Sequence, residues 1–162
     1  MARRIIVTGG AGYIGSHVCV ELLSAGDKVL VIDNFANSSP KAIERIAEIA
    51  GAGAELVEAD LASAADAEKI IAAVKAFRPD GAVHLAGLKA VGDSVVEPIR
   101  YYSVNLPATF TLVRALEEAD ARMIVFSSSA TVYGDLNQSP VDESGAIGPT
   151  NPYGRTKFFI EE

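Results

Sequence analysis

Thr8-Gly9-Gly10-Ala11-Gly12-Tyr13-Ile14-Gly15-Ser16 decides the fold. The apolar run Ile5-Ile6-Val7 stands before it and reads as a buried strand. Val18, Leu22 and Leu23 follow at the spacing of one helix face. Strand, glycine-rich turn and helix, in that order, form the context in which glycine spacing carries meaning. The glycines recur as Gly9-x-x-Gly12-x-x-Gly15, where the dinucleotide fingerprint has G-x-G-x-x-G. Gly9 permits a tight turn out of the strand, Gly12 lets a pyrophosphate approach the backbone, and Gly15 lets the helix pack close to the sheet. The helix, opening through Tyr13 and Ile14, aims unsatisfied N–H groups at such a phosphate. A glycine-rich loop without a ligand is the competing reading of the spacing alone.

From this stretch onward, strands and helices alternate. Ile5–Val7 begins the series, and a helix over roughly 12–25 is closed by Gly26. Val29–Ile32 is the second strand, ending in Asp33-Asn34. Ser38-Ser39-Pro40 predicts a helix start with Pro40 in its first position, running to about Ala50. A third strand covers 55–59. Ser63 is the expected cap of a helix bearing Ile70, Ile71, Val74 and Phe77, broken at Arg78-Pro79-Asp80. A fourth strand, 81–85, delivers Ala86-Gly87-Leu88-Lys89. A long helix is expected over 99–119, bent at Pro107. Met123–Phe126 is a fifth strand leading to Ser127-Ser128-Ser129, and Asn151-Pro152 opens a final helix. Apolar strands joined by helical crossovers argue an α/β fold, a doubly wound parallel sheet covered on both faces. In such a sheet, ligands bind at the C-terminal strand ends.

The chain has 162 residues, enough for one domain with its own core, so 1–162 is read as a single nucleotide-binding domain. A net charge of −7 argues against a nucleic-acid partner, and an anionic cofactor would need local backbone amides to hold it. The single cysteine, Cys19, is expected to be a buried apolar residue and excludes an internal disulfide. With His17 and His84 it makes no zinc spacing, so no metal is expected. No signal peptide precedes Ile5 and no apolar run approaches about 18 residues, so a soluble, cytoplasmic protein with no membrane partner is expected.

Asp33 lies 18 residues after Gly15, where a carboxylate accepts bonds from both hydroxyls of an adenosine ribose. It would repel a 2′-phosphate, and so favours NAD over NADP. Asp60-Leu61 follows the third strand and suits an adenine contact, with a helix-capping turn as the alternative. Tyr153 and Lys157 stand four apart on one helix face. A free tyrosine, with pKa ~10, is a poor base at neutral pH, and a nearby ammonium stabilises its phenolate. Ser129, after the fifth strand, could bond the same substrate oxygen.

Four segments carry a family resemblance: 7–17, Ala86-Gly87-Leu88-Lys89-Ala90-Val91-Gly92, Ser127-Ser128-Ser129-Ala130-Thr131-Val132-Tyr133-Gly134 and Asn151-Pro152-Tyr153-Gly154-Arg155-Thr156-Lys157. With them the chain resembles the extended short-chain dehydrogenase/reductases, and within these the sugar-nucleotide 4-epimerases of galactose metabolism. The related 4,6-dehydratases usually carry Thr-Asp-Glu where this chain has Ser129-Ala130-Thr131. Ala108 departs from a glycine frequent in the family, at a helical position that suits alanine.

The resemblance implies a Rossmann-like NAD-binding domain and a tightly held NAD that is reduced and reoxidised in each cycle. Tyr153 takes the proton of the sugar 4′-hydroxyl, Ser129 bonds that oxygen, and Lys157 bonds the nicotinamide ribose and lowers the Tyr153 pKa. These three are the expected catalytic residues. The expected cofactor contacts begin with Gly9, Gly12, Tyr13, Ile14 and Gly15. Asp33, Asn34, Asn37, Ser38, Asp60 and Leu61 follow, then Leu85, Ala86, Gly87, Lys89, Asn105 and Ser127, and finally Tyr153 and Lys157. The expected partners are a UDP-sugar and a second copy of the chain.

Family members run to about twice this length, and their C-terminal portion supplies most of the uridine-nucleotide site. Phe158-Phe159-Ile160 followed by Glu161-Glu162, with no glycine cap, reads as a helix cut short. The chain is therefore expected to be an N-terminal piece that binds NAD without turnover. A 4,6-dehydratase or an N-acetylhexosamine epimerase remains the alternative parent.

Overall fold

The computed structural model describes residues 2–162. They group into two compact units, one built from the chain up to Ala86 with Ala108–Ser127, the other from Gly87–Pro107 with Ser128–Glu162.

The first unit is a five-stranded parallel sheet. Its strands are β1 (Arg4–Thr8), β2 (Lys28–Asp33), β3 (Glu55–Glu58), β4 (Gly81–His84) and β5 (Ile124–Phe126). Their order in space is β3-β2-β1-β4-β5. β1 is central, with Thr8 level with Ile32 on one side and His84 on the other. Strand order reverses between β1 and β4, which puts the switch point at their C-terminal ends.

The apolar runs sort by alternation, because successive side chains of a strand leave on opposite faces. Ile6, Leu30, Ile32 and Ala82 enter one core with Ile70, Ile71, Val74 and Phe77 of the helix α3 (Ala67–Phe77). Leu112, Ala115 and Leu116 complete that core from the long helix described below. Ile5, Val7, Val29 and Val31 enter the other with Cys19 and Leu23 of α1 (Tyr13–Ser24) and Ile46 of α2 (Lys41–Ala50). Each fully buried Ile, Leu or Val contributes about 1.5–3 kcal/mol, so the two faces hold the sheet between helices.

Two expectations are corrected. Pro40 precedes α2 as its cap residue and is not its first helical residue. Ser63 does not cap α3, which begins only at Ala67. The reason is local competition: Asp60 receives the Ala62 N–H at 2.8 Å, and Asp66 turns back to receive the Asp60 N–H at 2.9 Å. These aspartate turns occupy the stretch in which the helix was expected to start.

The second unit holds α4 (Val91–Val96), the first half of α5 (Pro98–Glu118), a 3₁₀ turn at Ala130–Val132 and α6 (Pro152–Glu161). The short α4 and the 3₁₀ turn were not expected. Pro107 lies inside α5, and the two units divide there. No helix among the described residues is long and apolar enough to cross a membrane.

Candidate functional site

In the first unit, the turn after β1 is shaped by contacts that exclude side chains. Gly9 has φ +67°, and a Cβ there would lie 2.9 Å from the Ala86 nitrogen. A Cβ on Gly15 would lie 2.1 Å from the Gly9 oxygen, so α1 is seated on the turn itself. Gly12 is different: an added Cβ meets only the Gly9 oxygen, at 3.2 Å. As the cap residue of α1 it offers no side-chain bond, while Tyr13 and Ile14 stand exposed behind it. The first N–H groups of a helix have no intrahelical partner, so this end is open to an anion.

Asp33 ends β2 and is buried. Its carboxylate receives the Ala11 N–H, the Phe35 N–H and the Ser38 hydroxyl, each at 2.9 Å. Three of roughly four acceptor positions are thus used, and one remains for a ribose hydroxyl. Asp33 therefore ties the glycine turn to the loop after β2, a structural duty that the sequence did not reveal. Ser38 lies in this arrangement, whereas Asn34 and Asn37 are exposed beside it. Asp60 forms the tight turn described above, and Leu61 is packed into the core with 4% of its surface exposed. Any ligand contact by Leu61 is limited to that edge.

The end of β4 carries a buried polar chain. The Thr8 Oγ1 lies 2.7 Å from Nδ1 of His84, and Nε2 of His84 lies 2.9 Å from the Thr109 Oγ1. The Leu85 and Ala86 N–H groups both donate to the Thr8 Oγ1 at 3.2 Å. Phe126 stacks on His84, and the Ser127 N–H donates to the His84 carbonyl. Sequence reading considered His84 only for zinc; its pairing with Thr8 follows from strand register, which no local pattern discloses.

In the second unit, α6 begins with Asn151 receiving the Gly154 N–H at 2.8 Å and Pro152 in the first turn. Gly154 allows close packing on the serine turn, since its Cβ would lie 2.9 Å from the Thr131 oxygen. Ser129 accepts both the Thr131 N–H and the Thr131 hydroxyl, which leaves its own proton to donate. Ser128 bonds Glu161 near the end of α6. Tyr153 and Lys157 are both buried, and the Lys157 Nζ lies 5.8 Å from the centre of the Tyr153 ring. Burial pushes the Lys157 ammonium down to about 8, so at neutral pH it still carries its proton next to the phenol.

Tyr101 meets Tyr153 edge to face, with ring centres 6.4 Å apart. Its hydroxyl donates to the Ala90 carbonyl at 2.7 Å. Burial, with the Asp93 carboxylate, holds the Tyr101 phenol above its ordinary range. Of the two tyrosines, Tyr153 is the candidate base. Asn105, expected on the cofactor, spends its amide on the Leu88 N–H and carbonyl and on the Thr156 hydroxyl. Thr156 in turn donates to the Tyr153 carbonyl at 2.7 Å, so Asn105 braces the Gly87-Leu88 segment and α6 within this unit. Lys89 is exposed.

A parallel sheet with its switch point at β1 and β4, an open helix end at a glycine turn, and an aspartate ending β2 define a dinucleotide-binding protein. The chain belongs to the NAD dependent epimerase/dehydratase family, whose model matches residues 5–162. Within it, the chain is similar to the UDP-glucose 4-epimerase of Bacillus subtilis, at 49% identity over 158 residues, covering 98% of this chain and 46% of that protein. The UDP-glucose 4-epimerase of Bifidobacterium longum, solved in complex with NAD+ and UDP, is 42% identical with a TM-score of 0.92, covering 97% of this chain and 46% of that one. That of Stenotrophomonas maltophila, solved with bound NAD and formylated UDP-arabinopyranose, is 40% identical with a TM-score of 0.92, covering 98% and 46%. The chain spans about half the length of the curated relatives it matches.

Proposed function

We propose that residues 1–162 are the NAD-binding portion of a UDP-glucose/UDP-galactose 4-epimerase. The parent inverts the sugar 4′-hydroxyl in the cytoplasm as a homodimer. The observation that carries this reading is the 49% identity to a UDP-glucose 4-epimerase across nearly all of the chain. The residues present suit the cofactor: Gly12 leaves the end of α1 uncapped, and Asp33 keeps one acceptor position.

The chemistry NAD supplies when bound is reversible acceptance of a hydride from the sugar C4′. In this reading, backbone N–H groups at Tyr13 and Ile14 bind the pyrophosphate, and Asp33 accepts from the adenosine ribose. Tyr153, as phenolate, removes the proton of the sugar 4′-hydroxyl. Ser129 donates its remaining proton toward the same oxygen. The Lys157 ammonium stabilises the phenolate by its charge. The chain by itself binds NAD with little turnover, because binding energy from the remote UDP is what positions the sugar, and such positioning is worth about 7–11 kcal/mol.

Calorimetric titration with NAD+ and NADP+ tests the binding, with NAD+ the tighter ligand and Asp33→Ala weakening NAD+ more than NADP+. A coupled epimerase assay on this chain and on a version extended to family length tests the activity. A rate within tenfold of the extended protein's would overturn the division of labour. Light scattering of the extended protein tests the dimer.

A further inference from the structure

His84 lies 1% exposed in the centre of the first unit, between two hydroxyls. The bonds around it favour one tautomer. A threonine hydroxyl has two acceptor lone pairs and one proton. The Ala86 N–H donates to the Thr8 Oγ1 at 3.2 Å, and the Leu85 N–H approaches the same oxygen at 3.2 Å while sharing its proton with the Thr8 carbonyl, also at 3.2 Å. The Thr8 proton therefore points at the remaining neighbour, Nδ1 of His84 at 2.7 Å. On this arrangement Nδ1 would accept and Nε2 would carry the proton toward the Thr109 Oγ1 at 2.9 Å. A charged imidazole would bring a second proton to the Thr8 oxygen and displace one of the two amides.

The two amides matter because of where they are. Ala86 is the residue whose nitrogen stands 2.9 Å from where a Gly9 side chain would begin, so the gap between the glycine turn and the end of β4 is set by how Ala86 is held. We infer that His84 is a positioning residue: as the Nε2–H tautomer it orients the Thr8 hydroxyl, which clamps Leu85 and Ala86 beside the glycine turn and so shapes the cofactor cradle. The inference rests on the cofactor reading above for its consequence, though not for its geometry.

Three measurements on the chain test it. A two-bond ¹H–¹⁵N spectrum of histidine-labelled protein is expected to put the His84 proton on Nε2 alone at neutral pH; a proton on Nδ1, or on both nitrogens, overturns the inference. Thr8→Val keeps the side-chain shape and removes the hydroxyl. It is expected to raise amide exchange at Ala86 by about tenfold or more and to weaken NAD+ binding by about tenfold, with Thr8→Ser restoring both. Unchanged exchange in Thr8→Val, or failure of Thr8→Ser to restore it, overturns the inference. Wild-type protein that binds no NAD+ overturns the cofactor reading, while tautomer and exchange still decide the clamp. If Thr8→Val does not fold, the tautomer spectrum and the protection of Leu85 and Ala86 in wild type and Thr8→Ser decide it.

Discussion

The two helix beginnings that matter here, α1 in the first unit and α6 in the second, are finished in opposite ways. Gly12 leaves the N-terminus of α1 without a side-chain cap. Asn151 seals that of α6 by a 2.8 Å bond to the Gly154 N–H, with Pro152 removing another donor. The open end keeps its backbone donors for a ligand. The sealed end serves to fix a helix whose work is done by side chains in its first and second turns, Tyr153 and Lys157. Charge follows the same division. At the first site the donors are amides, which do not titrate, and the one carboxylate, Asp33, is steadied by three bonds. At the second the charge belongs to a buried lysine whose proton is loosened by desolvation. The first region should be intolerant of an atom added at Gly15, and the second should respond to pH through Lys157.

The largest expected effect breaks the second region's chemistry. In the family-length protein, Tyr153→Phe should lower turnover by about 10²–10⁴-fold while NAD+ affinity, read by calorimetry, stays the same. Near-normal turnover would assign the proton to another group. Next comes the first region's intolerance of atoms. Gly15→Ala places a carbon 2.1 Å from the Gly9 oxygen and should cost about 1–3 kcal/mol or more, seen as a lower midpoint in denaturant. An unchanged midpoint would mean that α1 shifts without penalty. Removing the seal of α6 should cost less: Asn151→Ala is expected to lose about 1 kcal/mol, with NAD+ binding unaffected. A larger loss of NAD+ affinity than of stability would show that the cap serves the ligand after all.

A further expected effect is the pH response. Lys157 has its pKa lowered on folding from the ordinary 10.5 to about 8. Between these values the unfolded chain binds the extra proton, so stability should rise with pH across that window and level off on either side. Below about 8 both states hold the proton and the burial cost is constant. Thermal denaturation from pH 7 to 10.5 in wild type and Lys157→Met checks this: the variant should lack the rise. Burial pushes the Cys19 thiol up to about 12, which lowers stability above pH 9 in both proteins, so only a wild-type-minus-variant difference that falls across the window would mean that favourable partners of Lys157 outweigh its burial.

Much of the first region was legible in the sequence, because its chemistry is local. The glycine spacing, the apolar strand before it and Asp33 at the end of β2 each follow from residues close together in the chain. The Tyr153–Lys157 spacing was legible for the same reason. Ser63 misled because Asp60 and Asp66, on either side of it, are equally good partners for backbone N–H groups, and only folding decides among them. The six-residue α4 leaves Val95 and Val96 exposed, so it lacks the one-sided pattern by which a helix is read. The bonds of Asn105 to Leu88 and Thr156, 17 and 51 residues away, were not legible in the sequence.

The sequence by itself determined which segments become strands and helices, where the turn needs glycine, and which side chains share a helix face. Those features depend on backbone sterics and on periods of two or 3.6 residues. The tertiary structure alone decided the strand order, and with it that Thr8 faces His84 across a distance of 76 residues. It also decided the three bonds that hold Asp33 and the burial that brings Lys157 within reach of losing its proton. Each of these is a property of neighbours brought together from distant parts of the chain, and desolvation and hydrogen-bond supply exist only once those neighbours have met.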